Sequence, residues 1–292
     1  MTRRPSFVNL IVRAVWLVQP LALVPLLNAA TQHLPHGGRV FVALFAWAGW
    51  ATVLLAALVP STVSLTVGRL IAPSVVVVAV SCSAADVAGW KLAVAIGATS
   101  LSSLVWYSGE VGAAFVQGSA YGAEQRFPLK PPVAMLIPMI TSWIVLCGTS
   151  TAGLVLAANG TWIAGGMLLA GSGFIAVFVG PKFHQLARRW LVIVPAGVVV
   201  HDPMLLTENA LFLTAKVRAL HLALSDTEAA DLTGGTAGVA IEIVLHEMDT
   251  VTKTGTRADP ETTVLHVLSV LVCPTRPGMA LRAAAARKLP VG

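Results

Sequence analysis

The chain has 292 residues, a mean hydropathy of +0.81 and a charged fraction of only 11%. Soluble domains carry charge on about a quarter of their residues, so this composition excludes a purely soluble protein. Residues 1–180 contain eight basic and three acidic residues, whereas residues 181–292 contain eleven and ten. The sequence therefore predicts a membrane domain over 1–180 and a soluble domain over 181–292. Because the excess positive charge lies in the membrane part, nucleic acid is not an expected partner.

The three cysteines, Cys82, Cys147 and Cys273, form no CxxC motif and no pairable spacing. A disulfide framework and a zinc site are therefore not expected, and no motif predicts a cofactor. The apolar run that ends at Ala30 is longer than the hydrophobic region of a signal peptide. We interpret this run as an uncleaved first transmembrane helix.

Six apolar stretches in the first part are long enough to cross about 30 Å of hydrocarbon. They predict transmembrane helices over residues 8–30, 40–59, 63–85, 87–107, 132–157 and 161–180. The third stretch is ambiguous because it contains Arg69 and Pro73. Either the Arg69 side chain reaches the headgroups, or residues 61–68 form an interfacial segment. In the sixth stretch, Gly166 and Ala170 fit a small-xxx-small contact between helices.

Basic residues in short connections identify the cytoplasmic side of a membrane protein. Six helices place both termini on one side, together with the loop 108–131. That side holds Arg3, Arg4, Arg69, Arg126, Lys130, Lys182, Arg188 and Arg189. The connections on the opposite side hold only Arg39 and Lys91. The bias predicts cytoplasmic termini and a cytoplasmic 181–292 domain.

β-Branched runs in the last part predict a small sheet domain. Residues 190–194 and 198–201 form two such runs, and the Pro-Ala-Gly at 195–197 between them is typical of a hairpin. Further strands are predicted over 211–224, 239–246 and 263–273, followed by a helix over 279–288. This order favours a small β-barrel or sandwich that is closed by one C-terminal helix.

Polar residues concentrate in the loop 108–131, which contains Glu110, Tyr121 and Glu124. Two carboxylates can act as a general acid and a general base. These two lie fourteen residues apart, however, with no histidine or metal-ligand pattern nearby. We therefore interpret the loop as a cytoplasmic hinge between four spans and two spans, and as the expected docking surface of the 181–292 domain.

Three charges, those of Arg69, Asp86 and Lys91, lie closest to the membrane interior. An intramembrane charge is a functional hypothesis by default, and a transporter could line its path with these residues and the loop 108–131. Asp86 and Lys91 are only five residues apart near a helix boundary. A local ion pair at the helix end is therefore the favoured interpretation.

Two further patterns concern ligands. The histidines of the last part show no metal-ligand spacing, and HEMDT at 246–250 lacks the second histidine of HExxH, so no metal ion is expected. Basic and aromatic residues near the expected membrane surface predict contact with anionic lipid or with a protein partner. They are Arg126, Lys130, Lys182, Arg188, Arg189 and Trp190.

Two stretches carry a resemblance: GSAYGAEQRFPLKPP at 118–132 and RRWLVIVPAGVVVHDP at 188–203. Together they resemble an uncharacterised group of multi-pass membrane proteins from actinobacteria that carry a cytoplasmic β-domain. The order of strands followed by one helix also resembles the pleckstrin-homology-like (PH-like) domains of bacterial membrane proteins. The resemblance implies a protein of the bacterial cytoplasmic membrane and supplies no catalytic residues.

We therefore expect a non-enzymatic integral membrane protein that holds a cytoplasmic PH-like module for a protein partner or an anionic lipid. A small-molecule or lipid transporter that uses Arg69, Asp86, Lys91 and the loop 108–131 is the alternative. An intramembrane enzyme that depends on Glu110 or Glu124 ranks third. Membrane lipids are expected partners, and homo-oligomerisation stays open.

Overall fold

A computed structural model describes residues 7–255 and 261–292, so Arg3 and Arg4 of the orientation argument lie outside the described residues. The chain divides into two compact units. The helical unit comprises Met1–Phe115 and Met139–Phe183, and the sheet unit comprises Val116–Pro138 and His184–Gly292. Each unit is therefore built from two separate pieces of the chain.

Most of the described residues before position 188 are helical. The helices are α1 Phe7–Leu17, α2 Gln19–Ala30, α3 His36–Leu58, α4 Thr62–Ser81, α5 Gly89–Tyr107, α6 Gly109–Gly118, α7 Val133–Ala158 and α8 Trp162–Ala187. Within the described ranges, five helical stretches are long and apolar enough to cross a membrane, with α1 and α2 counted as one. The number is six if α5 and α6, which meet at a bend of 55°, form one span.

Large apolar side chains on these helices point away from the protein. Ile137, Ile163 and Met167 are 75%, 84% and 71% exposed. Exposure of this kind is expected where lipid and not water surrounds a helix. The structure thus confirms a helical part with five or six membrane-capable helices.

Two prolines in these helices each leave a backbone carbonyl without its helical hydrogen bond. Pro20 has no N–H, so the carbonyl of Trp16, four residues earlier, loses its helical partner. That carbonyl instead accepts a hydrogen bond from the Trp50 indole at 3.1 Å. Pro73 in α4 frees the carbonyl of Arg69 in the same way, and the Tyr107 hydroxyl donates to it at 2.9 Å. Polar side chains from neighbouring helices thus satisfy carbonyls that lipid cannot.

The sheet unit contains two four-stranded sheets and a C-terminal helix. The first sheet has the order β1-β2-β3-β4 and is antiparallel throughout. The second has the order β5-β7-β8-β6, with β6 parallel to β8. The elements are β1 Gln125–Pro128, β2 Trp190–Val194, β3 Gly197–His201, β4 Ala210–Leu213, β5 Val217–Leu222, β6 Ala230–Asp231, β7 Ile241–Lys253, β8 Thr263–Val272 and α9 Pro277–Ala286.

Alternating residues of both sheets form one apolar core. It includes Leu191, Ile193, Val198, Phe212 and Ile243, all at most 1% exposed, and α9 adds Ala280 and Ala284 to it. The alternation is what a sheet with one buried face requires. The structure therefore confirms a sheet-rich last part that ends in a helix.

Two strand predictions differ from the structure. The run 211–224 is split by the turn before Val217 into β4 and β5, which belong to different sheets. The strand predicted over 239–246 continues to Lys253 as β7, with a register shift between Val244 and Asp249. The extension was not predicted because residues 246–250 are mostly polar and exposed and do not form an apolar strand pattern.

The segment 108–131 is also more regular than the predicted loop, since it contains α6 and β1. Strand β1 pairs with β2 from Gln125↔Ile193 to Pro128↔Trp190, and Phe127 enters the core. The expected contact between this segment and the last part thus exists as a strand pair. A four-residue edge strand that ends in proline gives little sequence signal.

Gly165, and not the predicted Gly166, lies where α8 meets α7. A Cβ at Gly165 would lie 2.6 Å from the Ala157 backbone nitrogen, whereas one at Gly166 would meet nothing within 4 Å. We expect Gly165→Ala to destabilise the helical unit by about 1–3 kcal/mol, because backbone atoms cannot yield as a side chain does. Thermal unfolding of the detergent-purified chain measures this effect.

Gly166→Ala is the matched control, since it adds the same methyl group one residue further along α8. It should leave the unfolding temperature unchanged or raise it slightly through better helix propensity. Equal unfolding temperatures for the two variants would contradict the close contact at Gly165.

Candidate functional site

Basic and aromatic side chains meet on the face of the first sheet that points away from its apolar core, where β1 and β2 pair, and Trp190 is buried there. The Arg126 guanidinium carbon lies 4.9 Å from the Trp190 ring centroid and 6.0 Å from that of Tyr121. The Arg126 Nη2 atom lies 2.6 Å from Glu124 Oε1. We call Tyr121, Glu124, Arg126, Trp190 and His201 the outer-face cluster. The pairing Arg126↔Val192 places Arg126 diagonally beside Trp190, which explains their stacking.

Hydrogen bonds within the segment before β1 fix Arg126 and Glu124 in place. Gln117 accepts from the Arg126 backbone N–H at 2.9 Å and donates to the Glu124 carbonyl at 3.0 Å. The Tyr121 backbone N–H donates to Glu124 Oε1 at 2.6 Å. Glu124 is therefore occupied as an acceptor within its own segment, and Glu110 lies in the other unit, in the first turn of α6. This arrangement does not favour the hypothesis of an acid/base pair.

His201 completes the cluster on the side away from Arg126. Its ring stacks on Trp190 with centroids 4.7 Å apart and planes 20° from parallel. Its Nδ1 lies 2.6 Å from Asn209 Oδ1, so Nδ1–H is the donor of the neutral ring, and Nε2 has no partner within the described residues. Burial lowers the pKa of His201, and the cations Arg188 and Arg126 lower it further. The ring is therefore neutral at pH 7.

Arg188 and Arg189 have opposite environments although they are neighbours. Arg188 is exposed, whereas Arg189 is only 1% exposed. The Arg189 Nε and Nη2 atoms lie 2.8 and 2.7 Å from Asp202 Oδ2. Its Nη1 donates to the Lys130 carbonyl at 2.7 Å, and Nη2 donates to the Thr233 carbonyl at 3.3 Å. The expectation that Arg189 contacts lipid is therefore wrong, because all three of its guanidinium nitrogens have hydrogen-bond partners inside the sheet unit.

Lys130 and Lys182 also lie in different places. The Lys130 ammonium donates to the Ala237 carbonyl at 3.3 Å, so this side chain holds a connection of the sheet unit. Lys182 is exposed near the end of α8 in the helical unit. Sequence reasoning missed Asp202 and Asn209, which hold Arg189 and His201. The only signal was the position of Asp202 directly after a predicted strand.

The three intramembrane charge candidates do not come together. The Arg69 Nε donates to the Trp106 carbonyl at 3.1 Å, and its guanidinium carbon lies 5.6 Å from the Tyr107 ring centroid. Asp86 follows the other end of α4, about 18 Å or more further along the helix axis. The Lys91 ammonium lies 5.9 Å from the Trp90 ring centroid and forms no ion pair with Asp86, so the predicted helix-end pair is not observed.

Within the described residues, no three His, Cys, Asp or Glu side chains are grouped so that they could hold a metal ion. Cys82, Cys147 and Cys273 are free and buried. Comparison of the chain with protein-family models, with curated proteins and with solved structures finds no match. The chemistry of the outer-face cluster therefore has to be argued from its own geometry.

The buried Arg189–Asp202 pair predicts a large cost for removing one partner. Asp202→Ala leaves the guanidinium buried without its carboxylate, which costs about 3–5 kcal/mol. Hydrogen–deuterium exchange in the full chain should show a corresponding loss of protection in β2 and β3. Asp249→Ala is the matched control, since Asp249 pairs with the partly exposed Lys216 at 3.2 Å and should matter little. Comparable losses in both variants would argue against the buried pair as a structural centre.

The lowered pKa of His201 predicts a pH dependence. The pKa of His201 is lower in the folded state than in the unfolded state, so its protonation favours unfolding. The contribution of neutral His201 to stability is complete above the unfolded-state pKa of about 6.5 and is lost as the pH falls through the lower, folded-state pKa. Arg126→Gln should raise the pKa of His201, because a nearby positive charge is removed. Histidine-selective NMR titration measures this shift, and Arg282→Gln on α9 should leave it unchanged. An unaltered His201 titration in Arg126→Gln would contradict the coupling.

Proposed function

We propose that the protein is a non-enzymatic integral membrane protein whose sheet unit is a PH-like module that binds anionic lipid headgroups at the inner leaflet of a bacterial cytoplasmic membrane. Two sheets followed by a C-terminal helix support the PH-like architecture. The distribution of basic residues supports the cytoplasmic side. The alternative is that the sheet unit binds a protein and not a lipid, and the test below distinguishes the two.

The observation that carries the proposal is the position of Arg188. It directly follows Ala187, the last residue of the membrane-capable helix α8, and its side chain is exposed. A residue at this point of the chain lies at the level of the headgroups. Within the described residues, Arg188 forms no ion pair, so its charge remains available to a phosphate.

The outer-face cluster adds a second cation to the same region of the sheet unit. Arg126 lies 4.9 Å from the Trp190 ring that stacks on His201, and Arg188 lies two residues before Trp190 in the chain. Trp190 is only 7% exposed, so it stacks with His201 and Arg126 and, against the sequence-based expectation, is not itself a lipid contact. Glu124 neutralises part of the Arg126 charge, which leaves Arg188 as the main contact.

The test uses the full chain in detergent with defined phospholipids, and native mass spectrometry counts the lipids that stay bound. Arg188→Gln should weaken retention of an anionic phospholipid about five-fold, because one juxtamembrane cation is worth about 1 kcal/mol. Retention of a zwitterionic phospholipid should not change. Arg282→Gln removes the same charge from α9 and is the matched control.

Two outcomes would overturn the proposal. One is equal loss in Arg188→Gln and Arg282→Gln, which would indicate a general effect of net charge. The other is no preference for anionic lipid together with recovery of a stoichiometric protein by affinity purification of the full chain. That result would assign the sheet unit to a protein partner.

A further inference from the structure

A groove opens along the helical unit between α2 and α3, with a cavity volume of about 340 Å³. Its apolar walls include Leu23, Val24, Ala43, Ala46 and Trp47. The walls are apolar along the helices and become polar at one end, where α2 connects to α3. The groove is thus an elongated amphipathic site that the proposed function does not use.

The break at Pro20 explains why the groove exists. Before the break, α1 packs on α3, and the indoles of Trp16 and Trp50 each donate to the other residue's carbonyl at 2.8 and 3.1 Å. After the break, α2 packs on α5, and Gln19 Nε2 donates to the Ala98 carbonyl at 2.9 Å. Both halves of the span therefore contact α5, but only the first half packs closely on α3. A space remains between α2 and α3, and Trp50 lines its end nearest the break.

Two further cavities of about 260 and 200 Å³ lie beside the groove, and Leu27 and Val42 line all three. Along α3, the distance from Trp50 to Arg39 at the open end is about 16 Å. This length is about half of the roughly 30 Å hydrocarbon core. The groove therefore has the depth of a single leaflet, which is the depth that one acyl chain occupies.

The open end carries the polar groups. Asn28, Thr31, Gln32 and Arg39 line it, and Arg39 is the only charged residue of the lining. Arg39 is exposed and forms no ion pair within the part of the chain that the structure describes. A cation with neighbouring hydrogen-bonding groups above an apolar channel matches an anionic headgroup above its chain.

We propose that this groove binds an anionic phospholipid from the leaflet on the side of the α2–α3 connection, with one acyl chain between α2 and α3 and the phosphate at Arg39. This site does not include Arg188, which directly follows α8. It gives the helical unit a lipid-binding role of its own.

The experiment places the full chain in nanodiscs with phospholipids that carry a photoreactive diazirine on the acyl chain. One series has an anionic glycerol headgroup and the other a zwitterionic choline headgroup. Peptide mapping should locate the anionic label on α2 and α3 within the groove. Ala46→Phe fills the groove and should reduce that labelling at least five-fold. Ala48→Phe adds the same ring on an exposed position of α3 outside the lining and should not.

Arg39→Gln tests the headgroup contact. It should reduce labelling by the anionic lipid about five-fold and leave labelling by the zwitterionic lipid unchanged. Arg188→Gln should leave groove labelling intact, so that failure of this proposal and failure of the proposed function are distinguishable. If Ala46→Phe does not fold, Ala43→Leu narrows the same groove.

Three results would overturn the proposal. The first is labelling of Ala46→Phe at the level of Ala48→Phe, and the second is equal labelling by both headgroups. The third is cross-linking of a second copy of the chain through the groove, which would show that another protomer covers it.

Discussion

Four antiparallel residue pairs between β1 and β2 determine how the rest of the sheet unit can form. They join a segment between two membrane-capable helices to the chain that follows the last of them. Phe127 enters the core through this strand, and Arg126 reaches Trp190 on its other face. Without β1, the outer-face cluster would lose Arg126 and β2 would become an edge. The chain therefore joins the sheet unit to the helical unit at three points, after Phe115, Pro138 and Phe183, and the sheet unit is not a free tail.

Several buried polar groups in both units are placed where a partner from another element satisfies them. Arg189 is surrounded by Asp202 and two carbonyls, so its charge can stay buried. In the helical unit, Trp50 and Tyr107 donate to carbonyls that Pro20 and Pro73 have freed. Each proline and its aromatic donor are therefore energetically coupled. Loss of the donor leaves a buried carbonyl without a hydrogen bond only while the proline is present, because without the proline a backbone N–H can donate to that carbonyl.

The sequence predicted the features that depend on local pattern. Apolar runs of span length and the β-branched runs around 195–197 gave the helical part and the β2–β3 hairpin, since both arise within one stretch of chain. Sequence-based prediction failed where contacts between residues far apart in the chain determine the environment of a side chain. Arg188 and Arg189 appear equivalent in the sequence, but Asp202 and two distant carbonyls bury Arg189 while Arg188 stays exposed. The groove beside α3 could not be predicted either, because Pro20 indicates a helix break but does not indicate which helices pack against the segments on its two sides.

The division of the sheet unit between two chain segments has a consequence for biosynthesis. Strand β1 leaves the ribosome before α7 and α8 have been made, whereas its partner β2 leaves after them. During that interval β1 has unpaired backbone groups on both edges. Its shortness, the charge of Arg126 and the proline at its end limit pairing with other chains. Completion of the first sheet therefore reports that α7 and α8 have been synthesised, because β1 can pair with β2 only after both.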